Sequence, residues 1–240
     1  MLIRVFKSEA YKLLKSKVWY LIFIGPLFCF LIGNYYANLG DYSWMDIFSR
    51  MIGLYGIYLL PLLTGIITAF TCRYEHDQKN WKLYLTMPIR KSVIYLVKFT
   101  LSFSLTAVTQ GFIFFSLFLI KVIHEISEPL PYSEILTSLG YGWLASAPLI
   151  ALMLLISAHW KNYTAPILIN AVLTIPNLLI APIPSIAPLY PWAYPLLSMT
   201  ISDKSLIDTV NPHMYLVLGL IIGMILVIIG TLTFSRKQVN

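Results

Sequence analysis

The sequence predicts an all-α membrane protein, with six transmembrane helices, an N-terminal interfacial amphipathic helix and re-entrant structure between helices five and six. Three observations carry this prediction. Charged residues make up 11% of the 240-residue chain and hydrophobic ones 58%, with a mean hydropathy of +0.77, where a soluble domain carries about a quarter charged residues. The apolar residues come in runs of about twenty, the length that spans a bilayer's hydrocarbon core. The basic residues cluster on alternate connections between those runs. A large soluble core would need helices apolar all round with nothing to cover them. In lipid, each run must satisfy its own backbone and so reads as a helix. The whole chain, 1–240, reads as one transmembrane domain.

The first element is the helix expected over 1–17, MLIRVFKSEAYKLLKSK. Ile3, Phe6, Ala10, Leu13 and Leu14 form one stripe; Arg4, Lys7, Tyr11, Lys12 and Lys15 form another, with Glu9 within the same segment. A basic amphipathic helix of this kind lies in the membrane interface. The first span, about 18–37, is too long for a signal-peptide core and no small-residue cleavage site follows, so it is expected to be retained. Further spans are expected at about 49–72, 93–120, 137–158, 163–184 and 212–234. The stretch 176–195, PNLLIAPIPSIAPLYPWAYP, carries six prolines, which a continuous helix cannot absorb. The fifth span should therefore end near Pro182. Pro188, Tyr190, Pro191, Trp192 and Tyr194 then read as short helices or turns dipping into the outer leaflet, with the aromatics at its interface.

With the N-terminus inside, fourteen basic residues lie on the inner side and only Arg50, Lys121 and Lys204 outside. The acids run the other way, with Glu9, Glu75 and Asp77 alone inside. The net charge of +7 is thus a topology signal and does not call for nucleic acid as a partner. Both termini of this multi-pass cell-membrane protein are expected in the cytoplasm. Cys29 and Cys72 fall at different depths and read as two buried thiols.

Several chemistries are excluded. The four histidines are scattered, with no pair at i, i+4, so neither a metal site nor a catalytic constellation emerges. The span middles hold essentially no ionisable residue, which argues against ion-coupled carriers and ion channels. No phosphate-binding GxxxxGK[ST] loop occurs, so the chain binds no ATP by itself and carries no cofactor. Gly219 and Gly223 form a GxxxG in the last span, a pattern common in apolar helices. Pro61, Pro148 and Pro166 sit in or near spans as candidate kinks.

The polar island between spans two and three, 73–92, is the most informative loop. Residues 74–86 contain no Pro or Gly and predict a short helix, which Pro88 ends. Glu75, Lys79 and Lys82 share one face; Trp81, Tyr84 and Leu85 lie toward another. Arg90 and Lys91 then open the next helix. An ordinary solvated loop accounts for the basic residues. A docking element for a cytoplasmic partner also accounts for Glu75, Trp81 and Leu85, because interfaces bury aromatic and Arg anchors. The residues alone leave both readings open.

The pattern E-x5-W-K-x2-L-T-x-P-x-R-x3-I-Y-x2-K, formed by Glu75, Trp81, Lys82, Leu85, Thr86, Pro88, Arg90, Ile94, Tyr95 and Lys98, resembles the first cytoplasmic loop of type-2 ABC exporter permeases. The N-terminal SEAYKLLKSKVWYLIFIGP, with Glu9, Lys12, Lys15, Trp19 and Pro26, is similar to the start of the subgroup tied to lantibiotic and bacitracin-type peptide immunity. The resemblance implies that 73–92 holds a coupling helix seated in a cytoplasmic ABC ATPase subunit, with Glu75 near basic groups of that subunit and Trp81 and Leu85 as apolar plugs. It implies ATP bound by the partner subunit, a homodimer or a heterodimer with a second permease chain, and export of a hydrophobic or amphipathic peptide or lipid-like compound. No large extracellular domain is seen, unlike some related exporters. A stand-alone membrane carrier, or a membrane-anchored immunity or interaction protein, is the alternative.

Overall fold

A computed structural model describes residues 2–40, 42–73, 90–160, 162–200 and 211–236. All the regular elements among them are helical, as the sequence predicts, and no strand occurs among the described residues. The predicted loop helix 74–86, with Glu75, Trp81, Lys82, Leu85 and Pro88, lies outside the described residues.

Helix α1 (Leu2–Lys15) ends where the Ser16 hydroxyl donates to the Leu13 carbonyl, and Lys12 and Lys15 complement the negative end of its dipole. A 3-10 stretch, Lys17–Phe23, leads into α2 (Ile24–Leu39). Helix α3 (Trp44–Leu54) starts with a capping box: the Ser43 hydroxyl accepts from the Asp46 N–H and the Asp46 carboxylate accepts from the Ser43 N–H. One π-turn, Tyr55–Leu59, joins it to α4 (Leu60–Thr71). Helix α5 (Lys91–Ile123) is the longest, at 33 residues. Helices α6 (Tyr132–Ala145) and α7 (Ala147–His159) run almost end to end with a break at Ser146. Short helices follow: α8 (Thr164–Thr174), α9 (Asn177–Ile180), two 3-10 turns (Ala187–Leu189 and Pro191–Ala193) and α10 (Tyr194–Met199). Helix α11 (Pro212–Arg236) closes the chain.

Among the described residues, five stretches are long and apolar enough to cross a membrane: Trp19–Leu39, Trp44–Thr71, Lys91–Ile123, Tyr132–His159 and Pro212–Ser235. The predicted span 163–184 holds instead α8 and α9, a shorter apolar stretch, Thr164–Ile180, interrupted at Pro176. Proline removes a backbone donor and clashes with the preceding turn, so the helix breaks there.

The core is layered along the bundle. At one end Cys29, Trp44, Phe48, Met51, Ile120 and Ile135 form the largest buried cluster. At the other, Cys72, Ile94, Tyr95, Leu154 and Phe234 pack together. Both cysteines are buried thiols. Gly219 and Gly223 form a packing face inside the chain: a Cβ on them would come within 3.1 Å of Ala145 and 3.0 Å of Ala147, tighter than ordinary contact, so glycine eases the close approach of α11 to the α6–α7 break. The outward faces of α2, α5 and α11 remain apolar, with Leu27, Leu31, Phe115, Val217, Ile221 and Met224 exposed. Such faces suit lipid or another protein and not water.

Candidate functional site

The interfacial residues expected from sequence meet two other elements at the α1 end of the bundle. Val5 and Leu13 pack against Val97 and Leu101 of α5. Glu9 lies between them on the same α1 face and is 2% exposed. The opposite face, with Ile3 and Leu14, is exposed, and Phe6 is partly so. Two apolar faces therefore flank α1, and the sequence stripe described mainly the outer one.

Glu9 is buried because it has partners. Its Oε2 lies 2.7 Å from Nζ of Lys98, itself 2% exposed, and its Oε1 lies 2.5 Å from Nζ of Lys12. Burial alone raises the Glu9 pKa; the ammoniums of Lys98 and Lys12 more than reverse this and hold it well below the ordinary carboxylate range. Lys98 also donates to the Thr71 carbonyl in the last turn of α4. The last four carbonyls of a helix lack intrahelical donors, and a cation there is favoured by the dipole as well. One ammonium thus ties together α1, the end of α4 and the start of α5. Lys15, by contrast, stays exposed, over the Tyr11 ring at 5.2 Å.

The junction brackets the segment 74–89. Thr71 closes α4 just before that segment, and Arg90 sits exposed at the start of α5 just after it. Arg73 lies 5.5 Å from the Phe70 ring and 5.2 Å from the Tyr163 ring, cation–π contacts that fix the chain as it leaves α4.

A second constellation surrounds the π-turn. Pro61 has no N–H for the Ile57 carbonyl one turn back, and Asn177 Nδ2 donates to that carbonyl at 2.8 Å. Asn177 Nδ2 also reaches the Trp192 carbonyl at 3.0 Å. Asn170 Nδ2 donates to the Pro61 carbonyl at 2.9 Å, and Trp192 Nε1 donates to Asn170 Oδ1 at 3.0 Å. Gly65 makes room for this, since a Cβ there would lie 2.1 Å from Asn170 Nδ2. Trp192 and Tyr194 are buried in protein; the Tyr190 hydroxyl donates to the Leu173 carbonyl and the Tyr194 hydroxyl to the Pro188 carbonyl. Pro191 opens the 3-10 turn that presents Trp192. Ala187, Trp192, Ala193 and Tyr194 pack on protein, whereas Ile183, Ile186 and Leu189 of the same stretch are exposed. Sequence reasoning singled out these aromatics and prolines but missed Asn170 and Asn177. Two amides in a proline-broken apolar run were the available signal.

No group of three or more potential metal ligands occurs among the described residues. The helices and their apolar faces define a multi-pass membrane protein. The chain belongs to the ABC-2 family of transporter proteins: the model of that family, described as ABC-2 family transporter protein, matches residues 5–177. None of the curated proteins compared with the chain matches it. Membership makes the chain an ABC-2 type permease, the membrane component of an ABC transporter. Such permeases generally work with a cytoplasmic ATPase and form dimers.

Proposed function

We propose that the chain is the permease subunit of an ATP-driven exporter that moves a hydrophobic or amphipathic peptide or lipid-like compound out of the cell membrane, in the manner of lantibiotic and bacitracin-type immunity systems. Both termini are cytoplasmic in this reading. The loop 73–92 holds the coupling helix, with Glu75, Trp81 and Leu85 as its contacts on the ATPase. The permease acts as a dimer, with a second copy or a similar chain. The scarcity of charge in the long helices supports an apolar cargo.

The observation that carries the reading is the Glu9–Lys98–Thr71 junction, which holds both ends of 74–89 and the interfacial helix on one buried ion pair. A push on that segment from a cytoplasmic subunit would be delivered to α1, α4 and α5 together.

The test is co-purification followed by coupled assays. A cytoplasmic ATPase encoded beside this chain should pull down with it in detergent. Glu75→Ala and Trp81→Ala should insert normally yet lose transport while ATP hydrolysis persists. Wild-type transport in both variants would overturn the docking assignment, and failure of any ATPase to co-purify would favour a stand-alone carrier.

A further inference from the structure

Helix α3 carries two opposite charges that the fold does not pair. Asp46, Arg50 and Leu54 recur every four residues and all three are exposed, whereas Ile47, Phe48 and Met51 beside them are buried. They form one outward stripe that reads acid, base, apolar from the helix start into the membrane. An acid four residues before an arginine is the favoured order for an ion pair on a helix. Yet among the described residues neither Asp46 nor Arg50 forms an ion pair.

Each charge is held by something else. Asp46 Oδ2 accepts from the Ser43 N–H at 3.1 Å and the Ser43 hydroxyl at 2.6 Å, which leaves Oδ1 without a donor among the described residues. The Arg50 guanidinium lies over the Tyr36 ring at 5.6 Å. Tyr36 packs on the largest core cluster and meets the Tyr42 ring edge-on at 5.2 Å, so it is a firm base. A ring contact steadies a guanidinium without using up its five N–H donors. No helix end explains the cation either. Lys121 closes the last turn of α5, where the dipole favours it, but the last turn of α3 carries no basic residue.

Depth separates the two charges. The stretch Trp44–Thr71 has 28 residues, so it is about 42 Å long and matches a bilayer of about 40–45 Å with its head groups. Asp46 lies about 3 Å along it, in the head-group layer. Arg50 lies about 9 Å along it, at the edge of a hydrocarbon core about 30 Å thick, where an ionisable residue calls for a partner. Leu54, 44% exposed, lies one turn deeper, and next to it a Cβ on Gly53 would meet nothing within 4 Å.

The candidate occupants differ in what they satisfy. A purely anionic head group suits Arg50 and is repelled by Asp46. A quaternary ammonium has no N–H for the free Asp46 oxygen. A phosphoethanolamine head group meets both, because its phosphate sits next to the glycerol and its primary ammonium further out, the order in which Arg50 and Asp46 stand. Guanidinium binds phosphate through paired N–H donors. An acyl chain then runs inward over the open side of Gly53 and Leu54.

We propose that this stripe binds a phosphoethanolamine lipid, with Arg50 donating to the phosphate and Asp46 Oδ1 accepting from the ammonium. Binding is a property of this chain alone and does not rest on the export reading.

The test uses the purified full chain in detergent, titrated with dioleoyl phosphatidylethanolamine, phosphatidylglycerol or phosphatidylcholine and read by native mass spectrometry. One phosphatidylethanolamine per chain is expected, held roughly tenfold more tightly than the other two. Arg50→Gln should weaken both phosphatidylethanolamine and phosphatidylglycerol. Asp46→Asn should weaken phosphatidylethanolamine yet tighten phosphatidylglycerol, because it removes an anchor for one head group and a repulsion for the other. Asparagine still caps the helix, and unfolding cannot move two lipids in opposite directions. Lys7→Gln, on the exposed basic face of α1, should leave the preference unchanged. Equal binding of the three lipids by wild type, a preference that survives Asp46→Asn, or displacement of the lipid by an equal concentration of free phosphoethanolamine would each overturn the proposal. So would loss of a dimer in Arg50→Gln with lipid binding intact, which would assign the stripe to a second copy.

Discussion

Glu9 and Lys98 stand 89 positions apart in sequence, and neither could be buried without the other. Desolvating a charge costs several kcal/mol, and the cost is recovered only with good geometry and further hydrogen bonds. Here Lys12 and the Thr71 carbonyl supply those bonds. Breaking such a pair by removing one partner typically costs about 3–5 kcal/mol, because it strands the other charge. Lys98→Met should therefore lower the thermal midpoint sharply, as read by size-exclusion thermostability in detergent. The double variant Glu9→Gln with Lys98→Met should be less damaged than Lys98→Met alone, since no unpaired charge then remains; strictly additive losses would refute the pairing. The same pair sets a pH dependence. The folded-state pKa of Glu9 is depressed from 4.5 to about 2, so the stabilisation is fully present above the unfolded value and is lost as pH falls through the folded one. Stability should be flat from neutrality to about pH 5 with respect to this group, then decline below pH 4.5. Glu9→Gln should remove that acid limb, measured as midpoint against pH.

The helix pair Trp44–Leu54 and Leu60–Thr71 shows how an element can be interrupted without being broken. Pro61 withdraws a donor from Ile57, the turn relaxes into a π-geometry, and the freed carbonyl is met by Asn177 from α9. An unmet buried carbonyl costs about 1–3 kcal/mol. Asn177→Leu should therefore destabilise by roughly that amount or more, because the Trp192 carbonyl loses its donor too. Pro61→Ala restores a backbone donor near Ile57, so the double variant should recover part of the Asn177→Leu loss in a double-mutant cycle; a zero interaction term would sink this account. The long apolar helices were legible in the sequence because lipid forces the backbone of each to satisfy itself, which makes hydropathy a structural signal. The short elements around Pro188 and Pro191 were legible through missing donors, whereas the fifth span was expected to run on past Pro176 and end near Pro182. The partners were not legible. Nothing local to Asn177 points to Ile57, 120 positions away, and nothing local to Glu9 points to Lys98. Side-chain pairing across helices is set by how the bundle closes, and the sequence reading, which fixed each helix by itself, had no access to that closure.

At the scale of the whole molecule, both ends of the described chain lie together. Val5 and Leu13 pack on Val97 and Leu101, while Phe234 packs with Ile94 and Tyr95, all within the first three turns of α5. A chain that starts and finishes on one side of a membrane crosses it an even number of times. Five long apolar helices make an odd count, so Thr164–Ile180 and the short elements that follow should complete one further crossing. Asn170 and Asn177 support this: they reach Pro61 and Ile57 in turn, so the stretch runs antiparallel to α4 and away from the α1 end. The proposed cytoplasmic side of the termini rests on charge: with the N-terminus inside, fourteen of the seventeen basic residues are expected on the inner side, and basic loops stay inside. Single-cysteine labelling tests count and orientation at once. Background is expected to be low because Cys29 and Cys72 are both buried. With a membrane-impermeant thiol reagent added to intact cells, Asn80→Cys should remain unlabelled and Lys204→Cys should react, and Asn80→Cys should label once the membrane is permeabilised. Labelling of both positions from outside would require an even number of crossings between them, whereas the reverse pattern would keep the odd number between them and invert the orientation. An even count between 80 and 204 puts both on one side of the bilayer, whereas spans three, four and five place them on opposite sides. The broken stretch must therefore count as a full crossing for the expected pattern to appear.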